Sequence, residues 1–175
     1  MTMPLDPHDL AVVSAQLGRP ARGVVGVAHR CSCGLPDVVQ TSPRLPDGTP
    51  FPTTYYLTCP RAVAAVGTVE GAGVMRELQD RLSDDPVLAA GYRAAHEDYL
   101  RARADLDDVP EIAGTSAGGM PARVKCLHAL VGHSLARGRG VNPVGDLALA
   151  MLDPWGDGGP CVDAAAAQDA AEQAE

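Results

Sequence analysis

The fold interpretation begins from the stretch GGMPARVKCLHALVGHSLARGRGVNPVGD, residues 118–146. Two glycines precede Pro121, which suits the first turn of a helix because an N–H at that position would have no helical partner. Gly138 is typical of the residue that ends a helix. Between them, apolar residues recur at helical spacing: Val124, Leu127, Val131 and Leu135. The sequence therefore predicts a helix over 121–136 with one face on the core.

This predicted helix carries one thiol and two histidines. At 3.6 residues per turn, Cys126 and His128 lie about 100° to either side of Leu127 and would face different directions. His128 and His133 fall on the flanks of the apolar stripe, where a histidine is more often a surface or boundary residue. We therefore expect the helix to supply one metal ligand, Cys126, and consider His128 and His133 only as candidates for a fourth ligand.

Upstream of this stretch, the period of the apolar residues changes twice. Asp6 or Pro7 begins a helix that Gly18 ends. The Val-rich run 23–30 and the run 36–41 are predicted strands joined by the turn-forming CSCGLP, and 54–58 is a third strand. Further helices are predicted over about 60–70, 74–83, 86–106 and 145–152.

These elements predict an α+β fold, in which a small antiparallel sheet of about three strands is covered by about five or six helices. At 175 residues, the length fits one domain, which we place at residues 1–152. Residues 153–175 are rich in Ala, Gly and acidic residues, a composition typical of a disordered tail.

The charge distribution argues against nucleic-acid binding. The net charge is −8, but residues 153–175 hold six of the 22 acidic residues and no Lys or Arg, which leaves 16 acidic against 14 basic residues. A nearly neutral body has no basic surface for phosphate contacts. No apolar run approaches a membrane span, and the N-terminus has no signal-peptide pattern, so we expect a cytoplasmic protein that does not enter a membrane.

Cysteines carry the clearest chemical signal. In a cytoplasmic protein they are more often free, metal-bound or reactive than disulfide-bonded. Cys31 and Cys33 face the same side of an extended segment, and Cys59 precedes the helix that begins at Pro60. With Cys126 they make four sulfurs, the number that a structural Zn²⁺ or an iron–sulfur cluster requires. Reactive thiols and unrelated core cysteines are the alternatives, and Cys161, in the tail, is left out of the set.

A second set of residues suits an anion. Gly118 and Gly119 lead into the predicted helix, whose unpaired N–H groups could bind a negative charge. Arg123 and Lys125 lie in the first turns, and Arg44 could join them from the loop PRLPDGTPFPT. A flexible capped loop is the alternative interpretation.

Two segments, RCSCGLPDVVQTSPRLPDGTPFPTTYYLTCP and GGMPARVKCLHALVGHSLARGRGVNPVGD, resemble the DUF501 family, an uncharacterised and largely actinobacterial group. The resemblance runs from about Leu10 to Leu152. It implies a link to cell division or to polyphosphate physiology, because relatives are often encoded beside a septum-formation protein and an exopolyphosphatase-like enzyme. It also implies a protein partner in a division or envelope pathway. Relatives without a thiol matching Cys33 keep His128 and His133 as candidate fourth ligands.

Two functions follow as hypotheses. The first is a metal-binding protein that holds Zn²⁺ or an iron–sulfur cluster through Cys31, Cys59 and Cys126, with Cys33 or a histidine as fourth ligand. The second is an enzyme or binding protein for a phosphorylated or anionic small molecule, which uses the Gly118–Gly119 helix start and a reactive cysteine.

Overall fold

A computed structural model describes residues 2–163 and Ala167. It confirms the predicted α+β class: within the described residues, six α-helices cover one three-stranded antiparallel sheet. The helices are α1 (Pro7–Leu17), α2 (Pro60–Gly71), α3 (Val74–Asp84), α4 (Pro86–Ala104), α5 (Leu127–Arg137) and α6 (Pro143–Leu149); a 3-10 turn spans Pro110–Ile112. The strands are β1 (Val24–Arg30), β2 (Pro36–Thr41) and β3 (Tyr55–Leu57), in the order β1-β2-β3.

The predicted hairpin between β1 and β2 is confirmed. Its turn closes through two backbone bonds, from the Cys31 amide to the Leu35 carbonyl (2.9 Å) and from the Gly34 amide to the Cys31 carbonyl (2.8 Å). Gly34 has φ 87°, a conformation that other residues rarely adopt. Both cysteines of the CSC motif therefore lie at one end of the sheet.

Helix ends with strong local signals lie where the sequence predicts them. The Asp6 side chain accepts the Asp9 amide at 2.7 Å to cap α1, and Gly18 ends that helix in the left-handed conformation. Asp85 caps α4 in the same way, by accepting the amides of Val87 and Leu88.

The prediction that a helix begins at Pro121 is wrong, because α5 begins only at Leu127. The Gln79 side chain of α3 accepts the Val124 amide (2.9 Å) and donates to the Ala122 carbonyl (3.4 Å). The Lys125 amide bonds back to the Gly118 carbonyl. These tertiary bonds take the backbone groups that a first helical turn would need, so residues 121–126 form an irregular segment.

Helix α5 packs backbone against backbone on two sides. A Cβ at Gly132 would lie 3.2 Å from the Tyr55 carbonyl oxygen of β3. A Cβ at Gly145 of α6 would overlap the Leu130 carbonyl oxygen of α5. Glycines thus set how closely α5 approaches the sheet and α6.

Replacing Gly145 with alanine is expected to lower the free energy of unfolding by about 2 kcal/mol, because the added methyl has no room between α5 and α6. Gly67 is the matched control: it lies in α2 with nothing within 4 Å of an added Cβ. Gly67→Ala is expected to stabilise the protein by about 0.5–1 kcal/mol through helix propensity. Urea denaturation compares the two, and a loss of similar size in both variants would contradict the packing argument.

The segment after α6 packs against the domain, contrary to the tail expected from residue 153. The Arg61 guanidinium of α2 donates to the carbonyls of Gly158, Gly159 and Pro160. The Gln16 side chain of α1 donates to the Cys161 thiol at 3.2 Å. The rest of the predicted tail, residues 164–166 and 168–175, lies outside the described residues. Among the described helices, none combines the length and the apolar character needed to cross a membrane.

Candidate metal centre

Three potential metal ligands meet where α2 ends and α5 begins. Glu70 lies in the last turn of α2, Cys126 is the N-cap of α5, and His128 is the second residue of α5. One ligand atom from each lies within 4.8 Å of the other two, and this is the one such group within residues 2–163 and Ala167. The side chains of Glu70 and His128 are 22% and 29% exposed, so solvent reaches the group.

Cys126 and His128 share a direction because Cys126 is not helical. Its backbone is extended, with φ −154° and ψ 108°. Side chains two residues apart in an extended segment face the same side, whereas in a helix they diverge by about 200°. The expectation that the two side chains face different directions depended on a helix through Cys126, and it is wrong for that reason.

The two ring nitrogens of His128 have different surroundings. Nε2 lies 3.2 Å from the carbonyl oxygen of Val63, and Nδ1 lies 3.3 Å from Oε1 of Glu70. A carbonyl oxygen only accepts hydrogen bonds, so Nε2 carries a hydrogen. Nδ1 is then left facing the carboxylate oxygen of Glu70. Glu70 is itself oriented by the Leu127 amide, which donates to Oε1 at 2.6 Å.

The electrostatics of the group favour a thiolate and a cation. A hydrogen bond with His128 holds the pKa of the Cys126 thiol below its usual range. The same bond, together with the negative charge of Glu70, raises the pKa of His128 to about 9. Positive charge is therefore stabilised at Nδ1, between the sulfur and the carboxylate.

The other predicted sulfur ligands belong to a different place. Cys31 and Cys33 lie in the β1–β2 turn, and Cys59 is the N-cap of α2, at the opposite end of that helix from Glu70. Cys126 instead interacts with His128 and Glu70. Of the predicted set Cys31, Cys33, Cys59 and Cys126, only Cys126 belongs to a potential metal-binding group within the described residues.

His133 is a core residue, which corrects the prediction that it lies on a helix flank. It is fully buried, and its ring stacks on Tyr55 with centroids 5.7 Å apart. Nε2 lies 3.1 Å from Asp98 Oδ2, and the Asn142 amide donates to Nδ1 at 3.2 Å. Both nitrogens are occupied, so His133 is not placed as a metal ligand.

The predicted anion-binding residues are also separated. Arg123 and Lys125 line a cleft of about 370 Å³ with Arg76 of α3. The backbone at Gly118 and Gly119 is closed by bonds from the Lys125 and Arg123 amides, and no helix begins there. Arg44 forms a two-point ion pair with Glu111, both distances 2.8 Å. The helix N-terminus on which this prediction depended is absent from residues 118–125, while the two cations remain side by side.

A cleft of about 460 Å³ lies at the other end of α5. It contains His29, whose Nδ1 lies 2.7 Å from Oδ1 of Asp37. Asp37 is fully buried, and its Oδ2 has no hydrogen-bond partner among the described residues. Ser134, Leu135 and Gly138 of the α5 end form part of the wall.

A family described as "Protein of unknown function (DUF501)" matches residues 27–150, about 70% of the chain. The chain belongs to DUF501. The resemblance expected from the sequence is thereby confirmed. Neither the curated proteins nor the solved structures provide a match.

The DUF501 match includes all three residues of the candidate metal centre but ends before Cys161. Sequence reasoning missed Glu70 and set Cys161 aside. Glu70 lies in the last turn of α2, a position that many surface glutamates occupy, so no sequence pattern marked it. The signal for Cys161 was that it is a cysteine. It was set aside because the acidic, Ala- and Gly-rich sequence around it predicts a disordered tail.

Proposed function

We propose that this DUF501 protein binds a divalent metal ion through Glu70, Cys126 and His128, with Zn²⁺ as the first candidate. The observation that carries the proposal is the orientation of His128. With its hydrogen on Nε2, toward the Val63 carbonyl, the Nδ1 lone pair faces a carboxylate oxygen 3.3 Å away. Two acceptors at this distance repel unless a proton or a metal ion lies between them.

The donor set fits zinc. Thiolate, imidazole and carboxylate are the three ligand types that Zn²⁺ takes in proteins. A histidine that ligates a metal typically donates its other N–H to a carbonyl or carboxylate, as Nε2 does here to Val63. The Leu127 amide orients Glu70 in the same supporting way. An iron–sulfur cluster fits this group less well, because the group offers a single sulfur ligand.

Three protein ligands would leave one zinc position open to solvent. A zinc ion with an open position polarises a bound water or carbonyl group. The partial exposure of Glu70 and His128 gives a small molecule access to that position. We therefore favour a site with a chemical or sensing role over a closed structural one, within the division or phosphate physiology that the family resemblance implies.

The second candidate function is a reactive thiol for an anionic small molecule. In that case a proton, not a metal, lies on His128, and Cys126 is the nucleophile. Lys125, the neighbour of Cys126, lines a cleft with Arg76 and Arg123. These three cations suit a phosphorylated ligand, and Cys126 follows Lys125 directly in the chain without lining the cleft itself.

Zinc titration of reduced, metal-free protein tests the first candidate. We expect Cys126→Ser and His128→Ala each to lose one zinc equivalent, and Glu70→Gln to weaken that equivalent at least tenfold. Zinc at about 100 times its dissociation constant should stabilise the wild type by about 2.7 kcal/mol. His29→Ala, which alters a histidine outside the group, is the matched control and should keep full zinc binding.

Alkylation of Cys126 distinguishes the metal site from the reactive thiol. If Cys126 is a metal ligand, zinc should protect it from iodoacetamide. If the wild type binds zinc no better than Cys126→Ser, the metal proposal is wrong. Rapid alkylation at neutral pH that is lost in His128→Ala, with phosphate stabilising the protein in a thermal shift, would then support the reactive thiol.

A further inference from the structure

His29 and Asp37 form a hydrogen-bonded pair in the wall of the cleft at the end of α5. His29 lies near the end of β1 and Asp37 near the start of β2. The pairing of the two strands is irregular on both sides of His29, and a bulge of this kind can turn a side chain out of its regular direction. Nδ1 of His29 lies 2.7 Å from Oδ1 of Asp37; the imidazole is 36% exposed and the carboxyl group is fully buried. A buried carboxylate thus holds one ring nitrogen, and the exposed part of the ring borders the cleft.

This hydrogen bond determines which ring nitrogen of His29 can act as a base. A carboxylate only accepts hydrogen bonds, so the hydrogen of the neutral ring lies on Nδ1. Nε2 then carries the lone pair, and among the described residues no group forms a hydrogen bond with it. A neutral imidazole in this tautomer accepts a proton through Nε2, as the histidine of a hydrolytic site does.

Asp37 differs from a carboxylate that is buried for structural reasons. Asp9, 2% exposed, accepts one hydrogen bond on each oxygen from Arg30, both at 2.8 Å. Asp37 has no arginine or lysine partner among the described residues, and its Oδ2 has no hydrogen-bond partner there. A buried negative charge with so little compensation is stabilised when the adjacent ring becomes positive. Asp37 therefore favours the transfer of a proton to His29.

The walls of the cleft suit a small molecule with an apolar or aromatic part. Apolar side chains reach it from α5, from the end of α6 and from the segment after α6: Leu135, Leu149, Pro154 and Trp155. Trp155 is the single tryptophan of the chain and is half-buried. Ligand sites are typically clefts with apolar walls and a few convergent polar groups, and here the exposed edge of His29 is such a group.

The charges of the cleft distinguish between substrate classes. Of the described residues in its wall, Arg139 is positive, while Asp37 and Asp157 are negative. A phosphorylated substrate would bring further negative charge to a wall in which negative groups already outnumber positive ones. A neutral carboxylic ester meets no such repulsion, and its hydrolysis requires a base that activates water.

We propose that this cleft is a second site, separate from the Glu70 group, in which His29 is the general base for the hydrolysis of small apolar carboxylic esters. Asp37 is a positioning residue, which fixes the tautomer of His29 and stabilises the imidazolium. Nε2 takes a proton from a water molecule while the water oxygen forms a bond to the acyl carbon. The bond from that carbon to the leaving oxygen then breaks, and the imidazolium gives its proton to that oxygen. The products are a carboxylic acid and an alcohol.

The test is hydrolysis of p-nitrophenyl acetate by the full chain in a Cys126→Ser background with a chelator present. We expect His29→Gln to lower kcat/KM by about 100-fold. Asp37→Asn, which keeps the shape of the side chain, should lower kcat by at least about tenfold with little change in KM. His8→Gln alters an exposed histidine outside the cleft; it is the matched control and should keep the rate of the parent. Because metal and the Cys126 thiol are both removed, the outcome does not depend on the Glu70 proposal.

Trp155 reports whether the cleft stays intact in these variants. 4-Nitroacetanilide, the amide analogue of the probe, should quench its fluorescence with saturation and inhibit hydrolysis over the same concentration range. We expect His29→Gln to keep this quenching while it loses the rate. A second measurement needs no variant: 4-nitroacetanilide should protect His29 of the wild type from diethyl pyrocarbonate, as read by peptide mass.

Three results would overturn the proposal. The first is equal rates of hydrolysis in His29→Gln and His8→Gln. The second is equal modification of His29 by diethyl pyrocarbonate with and without 4-nitroacetanilide, which would show that the cleft does not hold the probe. The third is an acetyl group on Cys31 or Ser32 during turnover, because both line the cleft and either would then replace water as the attacking group.

Discussion

Replacing Arg103 with alanine is expected to lower the free energy of unfolding by about 4 kcal/mol. Arg103 is only 4% exposed, and its guanidinium donates to the carbonyls of Pro52, Ile112 and Thr115. Pro52 lies in the loop between β2 and β3, whereas Ile112 and Thr115 lie in the segment between α4 and α5. Burial lowers the pKa of Arg103, and within the described residues no carboxylate forms an ion pair with it.

The loss should be large because truncation leaves three carbonyls without their donor and opens a cavity between the loops. For a chain of this length, the melting temperature should fall on the order of 10 °C. Arg101→Ala is the matched control: Arg101 is on the same helix, is 67% exposed and lies 3.9 Å from Asp98. Its effect should stay within about 0.5 kcal/mol. Equal effects in the two variants, measured by urea denaturation, would show that Arg103 does not tie the loops to α4.

Replacing His133 with alanine is expected to cost about 3 kcal/mol at pH 7.5. The ring fills space between Tyr55 and Tyr99, with centroids 5.7 and 5.1 Å away. Its removal also takes the ring-nitrogen acceptor from the Asn142 amide, which keeps only a weak bond to the Met120 sulfur at 3.7 Å. The loss of the bond to Asp98 should cost less, because Asp98 keeps two hydrogen bonds from Arg137 at 2.9 Å.

The same residue gives a pH dependence with a definite sign. Burial lowers the pKa of His133 in the folded protein, while the unfolded chain keeps a value near 6.5. Below pH 6.5 the unfolded state therefore binds more protons, and stability falls as pH decreases toward the folded pKa. The contribution is complete above pH 6.5. The stability difference between wild type and His133→Gln should narrow between pH 7.5 and 5.5; a constant difference would show that His133 does not titrate differently on folding.

Local chemistry made much of the fold predictable. Asp6 with Pro7, Gly18, and Asp85 with Pro86 mark helix ends by bonds within a few residues, and the structure places α1 and α4 accordingly. Pro121 is the same kind of signal for a helix start. No helix begins there, because the side chain of Gln79, more than forty residues away, bonds the backbone of the segment that follows. A cap that depends on a distant side chain cannot be read from neighbouring residues.

The candidate site was predictable in its residue types and not in its grouping. Cys126 and His128 were both candidates, but their shared direction depends on where α5 begins. Glu70 joins them through the packing of α2 on α5, which no spacing in the sequence encodes. Arg61 and Gln16 hold the segment that carries Cys161 against the domain, a tertiary effect that composition does not reveal.

Helix α5 connects the two ends of the molecule. Its first residues hold the Glu70 group, its last residues line the cleft that contains His29 and Asp37, and eleven residues make it a rod about 16 Å long. Gly132, near its middle, lets the helix backbone approach Tyr55 of β3 closely. A substitution that displaces α5 from the sheet, such as Gly132→Ala, should therefore disturb the Glu70 group and the far cleft together.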